Sequence, residues 1–134
     1  MTLVDTNVLL DVVTDDPNWS DWSIEQLESA ALRGPLLIND VVYAELAVRY
    51  ERIERLEAFL AEAGLEMAVL PRSALFLAGK VFQKYRKAGG SRAGVLPDFF
   101  IGAHAAVNQL DLLTRDTARY RTYFPTVKLI TPDR

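Results

Sequence analysis

The chain has 134 residues, which fits a single domain spanning residues 1–134. Half of the residues are hydrophobic and a quarter are charged, as in ordinary globular proteins. The absence of cysteine excludes disulfides, thiolate metal sites and thiol nucleophiles, and the single histidine disfavours a structural zinc site. A net charge of −3 argues weakly against nucleic-acid binding, although a carboxylate metal site lowers net charge without removing a local basic patch.

The N-terminal segment MTLVDTNVLLDVV has no basic region and carries two aspartates inside its apolar run. It therefore does not have the pattern of a signal peptide. No apolar stretch approaches the length of a membrane-spanning helix. From these features we expect a soluble cytoplasmic protein that has no membrane partner.

Short β-rich runs alternate along the chain with longer helical patterns, and glycine or proline pairs separate several of them. In the first half of the chain, the predicted elements are a strand that opens at 3–4 and ends at Asp5, a helix over 8–13, a helix from a cap at Asn18 or Ser20 to about 32, a strand at 36–38, a helix capped by Asn39 and running to about 49, and a helix over 53–63 ended by Gly64. In the second half they are a strand within 66–70, a helix over 73–87, a loop at 89–94, an apolar helix over 99–107, a strand at 112–114, a short helix near 118–120 and a strand at 127–130.

The alternation of strands and helices predicts βαβ units. The fold class is therefore α/β, a three-layer α/β/α sandwich with a mainly parallel central sheet. Ligands of such open sheets bind outside the carboxyl ends of the strands. Acids that directly follow strands are for this reason candidates for a functional site.

Two acids follow predicted strands. Asp5 comes directly after the first strand, beside Val4, and Asp116 follows the strand at 112–114, where Thr114 is placed to support it through its hydroxyl group. A simpler interpretation is that each aspartate only caps the helix that follows it. The sequence leaves both interpretations open.

Two further acids border apolar helix faces. Glu45 shares a helical stripe with Val41 and Val48, and a buried carboxylate persists only with a partner or a metal. Asp98 begins a helix whose next nine residues are almost all apolar, at the end where the helix dipole favours a negative charge. The alternatives are that Glu45 pairs with Arg49 on an exposed face and that Asp98 is an ordinary first-turn acid.

Together, these acids predict a site for a hard cation. Mg²⁺ and Mn²⁺ prefer oxygen ligands, and a carboxylate cluster without a cation repels itself. Such a cluster binds one or two metals, activates a water and neutralises a phosphoryl transition state. Phosphodiester cleavage is the reaction that this chemistry favours.

Four segments carry a family resemblance: DTNVLLD at 5–11, INDVVYAEL at 38–46, LPDFFIGAHA at 96–105 and LLTRD at 112–116. In their order and spacing they resemble the PIN domain, specifically the VapC-type toxins of bacterial and archaeal toxin–antitoxin pairs, over essentially the whole chain. Asn39 departs from the serine that many relatives carry, but both residues cap helices. The resemblance implies that the catalytic and metal-binding residues are Asp5, Glu45, Asp98 and Asp116, with support from Asn7 and Thr114.

The resemblance also implies an activity and partners. The activity is that of an endoribonuclease that uses Mg²⁺ or Mn²⁺ to cut RNA, often transfer or ribosomal RNA. The partners are a second copy of the chain, which forms a homodimer, and a cognate antitoxin that neutralises the toxin.

The basic charge is uneven along the chain, since residues 80–92 contain no acid. We expect basic residues near the site to hold RNA phosphates on either side of the metal. A solvated helix face with a mobile loop is an equally good explanation. The candidate RNA-binding residues are Lys84, Arg86, Lys87, Arg92, Arg115 and Arg119.

Two other functions fit parts of the pattern. A haloacid-dehalogenase-like phosphatase also places an aspartate after its first strand, but its chemistry needs a second aspartate where this chain has Asn7. A non-catalytic PIN-like or receiver-like binding module would be favoured by loss of one of the four acids, and all four are present. His104 is expected to be a core or interface residue, and Trp19 and Trp22 to be packing anchors or part of a partner-facing patch.

Overall fold

The computed structural model describes residues 1–132, apart from the side chain of Ala93, and its centre is a parallel sheet of five strands. The strand order is β3-β2-β1-β4-β5, and each of the neighbouring pairs is parallel. The predicted α/β/α fold with a parallel sheet is thereby confirmed. The strands are β1 (Thr2–Val4), β2 (Leu36–Ile38), β3 (Leu65–Met67), β4 (Asp111–Leu113) and β5 (Leu129–Ile130).

Helices connect the strands, as parallel pairing requires. They are α1 (Thr6–Val13), α2 (Ser20–Ala31), α3 (Asp40–Ala47), α4 (Ile53–Ala63), α5 (Arg72–Lys87), α6 (Leu96–Asn108) and α7 (Ala118–Tyr123), and a turn of 3-10 helix at Ala93–Val95 precedes α6. None of these helices, within the part of the chain that the structure describes, is long and apolar enough to span a bilayer.

Local sequence explains several helix ends. The Asp5 carboxylate accepts a hydrogen bond from the amide of Thr6 at 2.7 Å, so α1 begins directly after β1 rather than at residue 8. Asn39 caps α3 as predicted, because its side-chain oxygen accepts from the amide of Val42 at 3.0 Å. Gly64 ends α4 with a φ of 70°, a conformation that costs glycine little.

The cap predicted for α2 is wrong. Neither Asn18 nor Ser20 caps this helix. The carboxylate of Asp16 accepts from the amides of Asn18 and Trp19 at 2.8 and 2.9 Å, and Ser20 is already helical. The Asp16 side chain therefore satisfies backbone donors before the first turn of α2.

Four of the five strands also differ from the prediction in their bounds, and the first of them begins at Thr2 rather than at residue 3. The third strand begins at Leu65, because Leu36 of β2 pairs with that residue, and the fourth occupies Asp111–Leu113. The last strand is limited to Leu129–Ile130, the two residues that pair with β4. Pairing with a neighbour sets each boundary, and the local sequence does not record that neighbour.

The central position of β1 determines where the candidate site lies. Leu3 and Val4 are fully buried between β2 and β4, and Val4 pairs with Leu113. The residues that follow these two strands, Asp5 and Thr114, are therefore neighbours at the carboxyl edge. The strand order also reverses here, which is the usual ligand position in open α/β sheets.

Candidate active site

Asp5 is the most buried of the four predicted ligands, with 3% of its surface exposed. Besides the Thr6 amide, its carboxylate accepts hydrogen bonds from the hydroxyl of Thr114 at 2.7 Å and from that of Tyr120 at 3.0 Å. The side-chain amide nitrogen of Asn7 lies 3.4 Å from Oδ2 of Asp5, the oxygen that accepts from both hydroxyls. Helix α1, the segment after strand β4 and helix α7 thus fix one carboxylate.

Thr114 and Asn7, the two predicted supporting residues, link Asp5 to Asp116. The Thr114 hydroxyl donates to Asp5 and accepts from the amide of Asp116 at 3.0 Å. The Asn7 side chain donates to the Thr114 hydroxyl at 3.3 Å and accepts from the amide of Arg115 at 3.2 Å. These contacts hold the segment after β4 against the start of α1.

Glu45 faces α1. Its carboxylate accepts a hydrogen bond of 2.6 Å from the hydroxyl of Thr6, the residue next to Asp5. Arg49 is exposed, and among residues 1–132 no ion pair joins it to Glu45. The side chain of Glu45 is therefore turned towards the other acids and only partly exposed.

Asp98 and Asp116 both form ion pairs with Arg119. Asp98 lies in the first turn of α6, where Pro97 fits because that turn leaves backbone amides unpaired. A guanidinium nitrogen of Arg119 donates to the Asp98 carboxylate and also lies 3.3 Å from that of Asp116. The side chains of Asp98 and Asp116 are 27% and 40% exposed, so this part of the site is open to solvent.

The electrostatics couple these acids. The pKa of Asp5 is raised to about 7, because burial and, to a lesser extent, the negative charge of Asp98 raise it more than the donated hydrogen bonds lower it. Burial also raises the pKa of Asp98; the charge of Arg119 lowers it, and the charges of Asp116 and Glu45 raise it. All four carboxylates therefore contribute to a common negative field.

The donor set fits a hard cation in its chemistry, because it consists of oxygen ligands in a negative field. As the side chains stand, however, no three acidic or histidine residues within 1–132 converge closely enough to hold one ion. Arg119 provides the positive charge between Asp98 and Asp116. Asp98 and Asp116 can thus act as metal ligands only after some rearrangement of this ion pair.

The predicted RNA-binding residues fall into two groups. Lys84, Arg86 and Lys87 are exposed in the last turn of α5, and Arg92 is exposed in the segment that leads to Asp98. This group has the exposure that phosphate binding requires.

Arg115 and Arg119 form the second group, and both are paired with acids. Arg115 makes two hydrogen bonds to Asp11, at 2.7 and 2.9 Å, and its guanidinium lies 4.8 Å from the centre of the Trp19 ring. Arg119 is paired with Asp98 and Asp116. Neither residue is a simple surface cation.

Sequence reasoning missed three residues with roles in this arrangement, namely Thr6, Asp11 and Tyr120. Thr6 lay inside a recognised motif, and an apolar neighbourhood around Asp11 marked that acid as unusual. Tyr120 gave no signal, because a tyrosine in a short helix is ordinary and its hydrogen bond to Asp5 joins residues far apart in sequence.

His104 is fully buried and lies outside the acid group. Its Nδ1 pairs with the side-chain amide of Asn39 at 3.1 Å, and burial lowers the pKa of the imidazole. The side-chain oxygen of Asn39 is used in the α3 cap, so the side-chain nitrogen of Asn39 donates to Nδ1 of His104. The imidazole proton is therefore assigned to Nε2. His104 is thus a neutral core residue, as expected.

Comparison with known structures gives the same fold for this chain. VapBC2 from Rickettsia felis bound to a DNA fragment from their promoter matches with a TM-score of 0.75 and 21% identity, covering 98% of both chains. A toxin–antitoxin complex from Klebsiella pneumoniae matches with a TM-score of 0.67 and 22% identity, again covering 98% of both chains. DNA-bound VapBC from Salmonella typhimurium matches with a TM-score of 0.70 and 18% identity, covering 97% of this chain and 96% of the other.

No curated protein matches the sequence. The family model of the PIN domain matches residues 2–125, which include all four acids, strands β1 to β4 and helices α1 to α7. This chain therefore belongs to the PIN domain family.

Proposed function

We propose that this chain is a single-domain, Mg²⁺- or Mn²⁺-dependent endoribonuclease that acts as the toxin of a toxin–antitoxin pair. The observation that carries the proposal is the electrostatic coupling of Asp98 to Asp5, Glu45 and Asp116 near the carboxyl edge of a PIN-family sheet. Acids that share one negative field need a cation, and a hard cation is the one that their oxygen atoms favour.

Asp5, Glu45, Asp98 and Asp116 would hold the metal. When bound, a divalent cation supplies the activation of a water and neutralises charge that develops on a phosphoryl group. Thr114 and Asn7 keep the Asp5 carboxylate oriented towards the site, and Thr6 does the same for Glu45. His104 takes no part as a base, because it is buried and its Nδ1 is occupied by Asn39.

We propose the RNA substrate and the homodimer from the family resemblance, and the antitoxin partner from the similar structures. The Klebsiella structure is a toxin–antitoxin complex, and we extend that arrangement to this chain as a cognate antitoxin that neutralises it. The proposed substrate is transfer or ribosomal RNA, which places the action in the cytoplasm. We also propose that the toxin forms a homodimer.

Incubation of the purified protein with total RNA in Mg²⁺ or Mn²⁺, with mapping of the cut ends, tests this function. We expect cleavage at defined positions that stops when the metal is chelated. Asp98→Asn should lower the cleavage rate by at least about a hundredfold, because it removes a charged oxygen ligand where several kcal/mol of charge stabilisation are supplied.

Asp21→Asn is the matched control, because Asp21 is an exposed aspartate in the first turn of α2, just as Asp98 lies in the first turn of α6. The control variant should cleave like wild type. Absence of cleavage by wild type under conditions where Mn²⁺ binds would refute the proposal. Equal cleavage by Asp98→Asn would show that another nuclease contaminates the preparation or that the site lies elsewhere.

A non-catalytic PIN-like module is the second candidate, and one observation favours it. The acids do not converge at ligand distance, since Arg119 lies between two of them. An Asp5→Asn variant discriminates, because a nuclease would lose metal-dependent cleavage while a binding module would keep its function. The phosphatase alternative gains no support, because the side chain of Asn7 joins α1 to Thr114 and Arg115 in the segment after β4.

A further inference from the structure

Arg119 combines three properties that distinguish it from the exposed basic residues. One of its guanidinium nitrogens contacts carboxylates from two different elements, Asp98 in α6 and Asp116 in the segment after β4. The side chain is 21% exposed, so it is largely enclosed yet reaches solvent. Its partners are two of the four acids that we assign to the metal.

We propose that Arg119 is an internal counter-cation of the metal centre, one that neutralises Asp98 and Asp116 when no metal is bound and competes with the metal for them. The inference rests on the proposed function, because it assumes that these acids take a divalent cation. It gives the site two alternative positive charges, one covalently attached and one from solution.

Arg119 and a divalent cation would compete for two reasons, their like charges and the carboxylate lone pairs that both would use. A divalent cation beside an unmoved guanidinium would meet a positive charge within a few ångströms, in a partly buried setting where screening is weak. The guanidinium also occupies oxygen atoms that the metal would use as ligands. Metal binding therefore requires Arg119 to leave at least one of its two carboxylates.

The position of Arg119 allows this movement. It lies in the first turn of α7, and within residues 1–132 no other carboxylate forms an ion pair with it. The packing of the helix itself depends on other residues. Phe124 lies against α6 so closely that a methyl group on Gly102 would come within 2.4 Å of its ring. The arginine side chain can thus turn towards solvent while α7 stays in place.

Mn²⁺ binding by titration calorimetry, together with the melting temperature of the metal-free protein, tests the inference without reference to cleavage. In Arg119→Gln, the Mn²⁺ affinity should rise by about tenfold, the effect of losing one partly buried competing cation. The melting temperature of the metal-free variant should fall, and the increase that saturating Mn²⁺ produces should be larger than in wild type.

Two further variants complete the test. Arg121→Gln removes an exposed arginine from the same short helix and should leave both measurements unchanged. Arg119→Lys keeps the charge but not the planar donor group, so its Mn²⁺ affinity should lie between those of wild type and the glutamine variant. It also provides a folded reference if the glutamine variant is unstable.

The outcomes separate the two proposals. Unchanged or weaker Mn²⁺ binding by Arg119→Gln, with RNA cleavage intact in wild type, would overturn the counter-cation role and leave the nuclease function standing. Weaker RNA binding with unchanged Mn²⁺ affinity would instead make Arg119 a phosphate ligand. If neither wild type nor the variant binds Mn²⁺, both proposals are wrong; if only the variant binds, the competition is strong.

Discussion

At the scale of single residues, the Asp5 carboxylate depends on its donors. It is nearly inaccessible to water, so the hydroxyls of Thr114 and Tyr120 replace the hydration that the charge has lost. Both hydrogen bonds lower the pKa of Asp5, whereas burial raises it. Hydrogen bonds from neighbouring elements therefore favour the ionised form of Asp5, which a metal requires.

Tyr120→Phe removes one of these donors and leaves the aromatic ring. The pKa of Asp5 should rise further, so a smaller fraction of the carboxylate is ionised at neutral pH and Mn²⁺ should bind more weakly. Loss of the hydrogen bond to a buried charged group should also reduce the free energy of unfolding by about 1–2 kcal/mol. Titration calorimetry and urea denaturation measure the two effects.

Tyr43→Phe is the matched control, because the Tyr43 hydroxyl donates to the exposed Glu57 at 2.7 Å. It removes a tyrosine hydroxyl without affecting the acids. If Tyr120→Phe and Tyr43→Phe have the same Mn²⁺ affinity, the hydrogen bond to Asp5 contributes nothing to metal binding.

At the scale of elements, Asp11 and Arg115 join α1 to the segment between β4 and α7. The two side chains form a bidentate pair, the Ser23 hydroxyl of α2 donates to Asp11 at 2.7 Å, and the guanidinium stacks over Trp19. Arg115 immediately precedes Asp116, so this cluster restrains the segment that carries one proposed ligand. The consecutive helices α1 and α2 thus meet a segment that is distant from them in sequence.

Asp11→Asn should loosen that segment. It leaves the guanidinium of Arg115 without its countercharge, which should lower the free energy of unfolding by about 1–3 kcal/mol, less than for a fully buried pair because Arg115 is 27% exposed. Cleavage should also slow, because Asp116 would no longer be held in position. Urea denaturation and the maximal cleavage rate are the measurements.

Glu54→Gln is the matched control, because it breaks an exposed ion pair between Arg52 and Glu54, whose side chains are 73% and 62% exposed, respectively. It should change neither the free energy of unfolding nor the cleavage rate. A denaturation midpoint for Asp11→Asn equal to that of Glu54→Gln would show that the Asp11–Arg115 pair has no structural role.

At the scale of elements, local sequence predicts some features of the fold and of the candidate site and misses others. Helix α4 lies where glycine placement and periodicity put it, and Asp5 and Thr114 meet because parallel strands share an edge. Strand limits such as Leu65, and contacts such as Arg119 with Asp98, arise from neighbours brought together by the fold. Periodicity and capping are local properties, so they carry no information about these partners.

At the scale of the whole molecule, the proposed function requires an acidic chain to attract a polyanion. The net charge is −3, but Lys84, Arg86 and Lys87 are exposed at the C-terminal end of α5. The segment from there to Asp98 carries Arg92, whose backbone amide donates to the Tyr85 hydroxyl at 3.3 Å. This basic group and Asp98 thus lie at the two ends of one connection.

Charge reversal in this group should weaken RNA binding without affecting the metal. Arg86→Glu removes one phosphate contact and adds a repulsion, so the dissociation constant for RNA should rise by roughly tenfold at moderate salt, and the salt dependence should become shallower. Mn²⁺ affinity should stay at the wild-type value. Filter binding at several salt concentrations, with metal titration in parallel, makes the comparison.

Arg33→Glu is the matched control for that experiment. Arg33 is exposed in the connection that leads into β2, at the amino end of the strands and therefore opposite the acids. Because both variants change the net charge equally, a general electrostatic effect would weaken RNA binding in both. A selective loss in Arg86→Glu would place the RNA backbone beside α5, and equal affinities in the two variants would refute that placement.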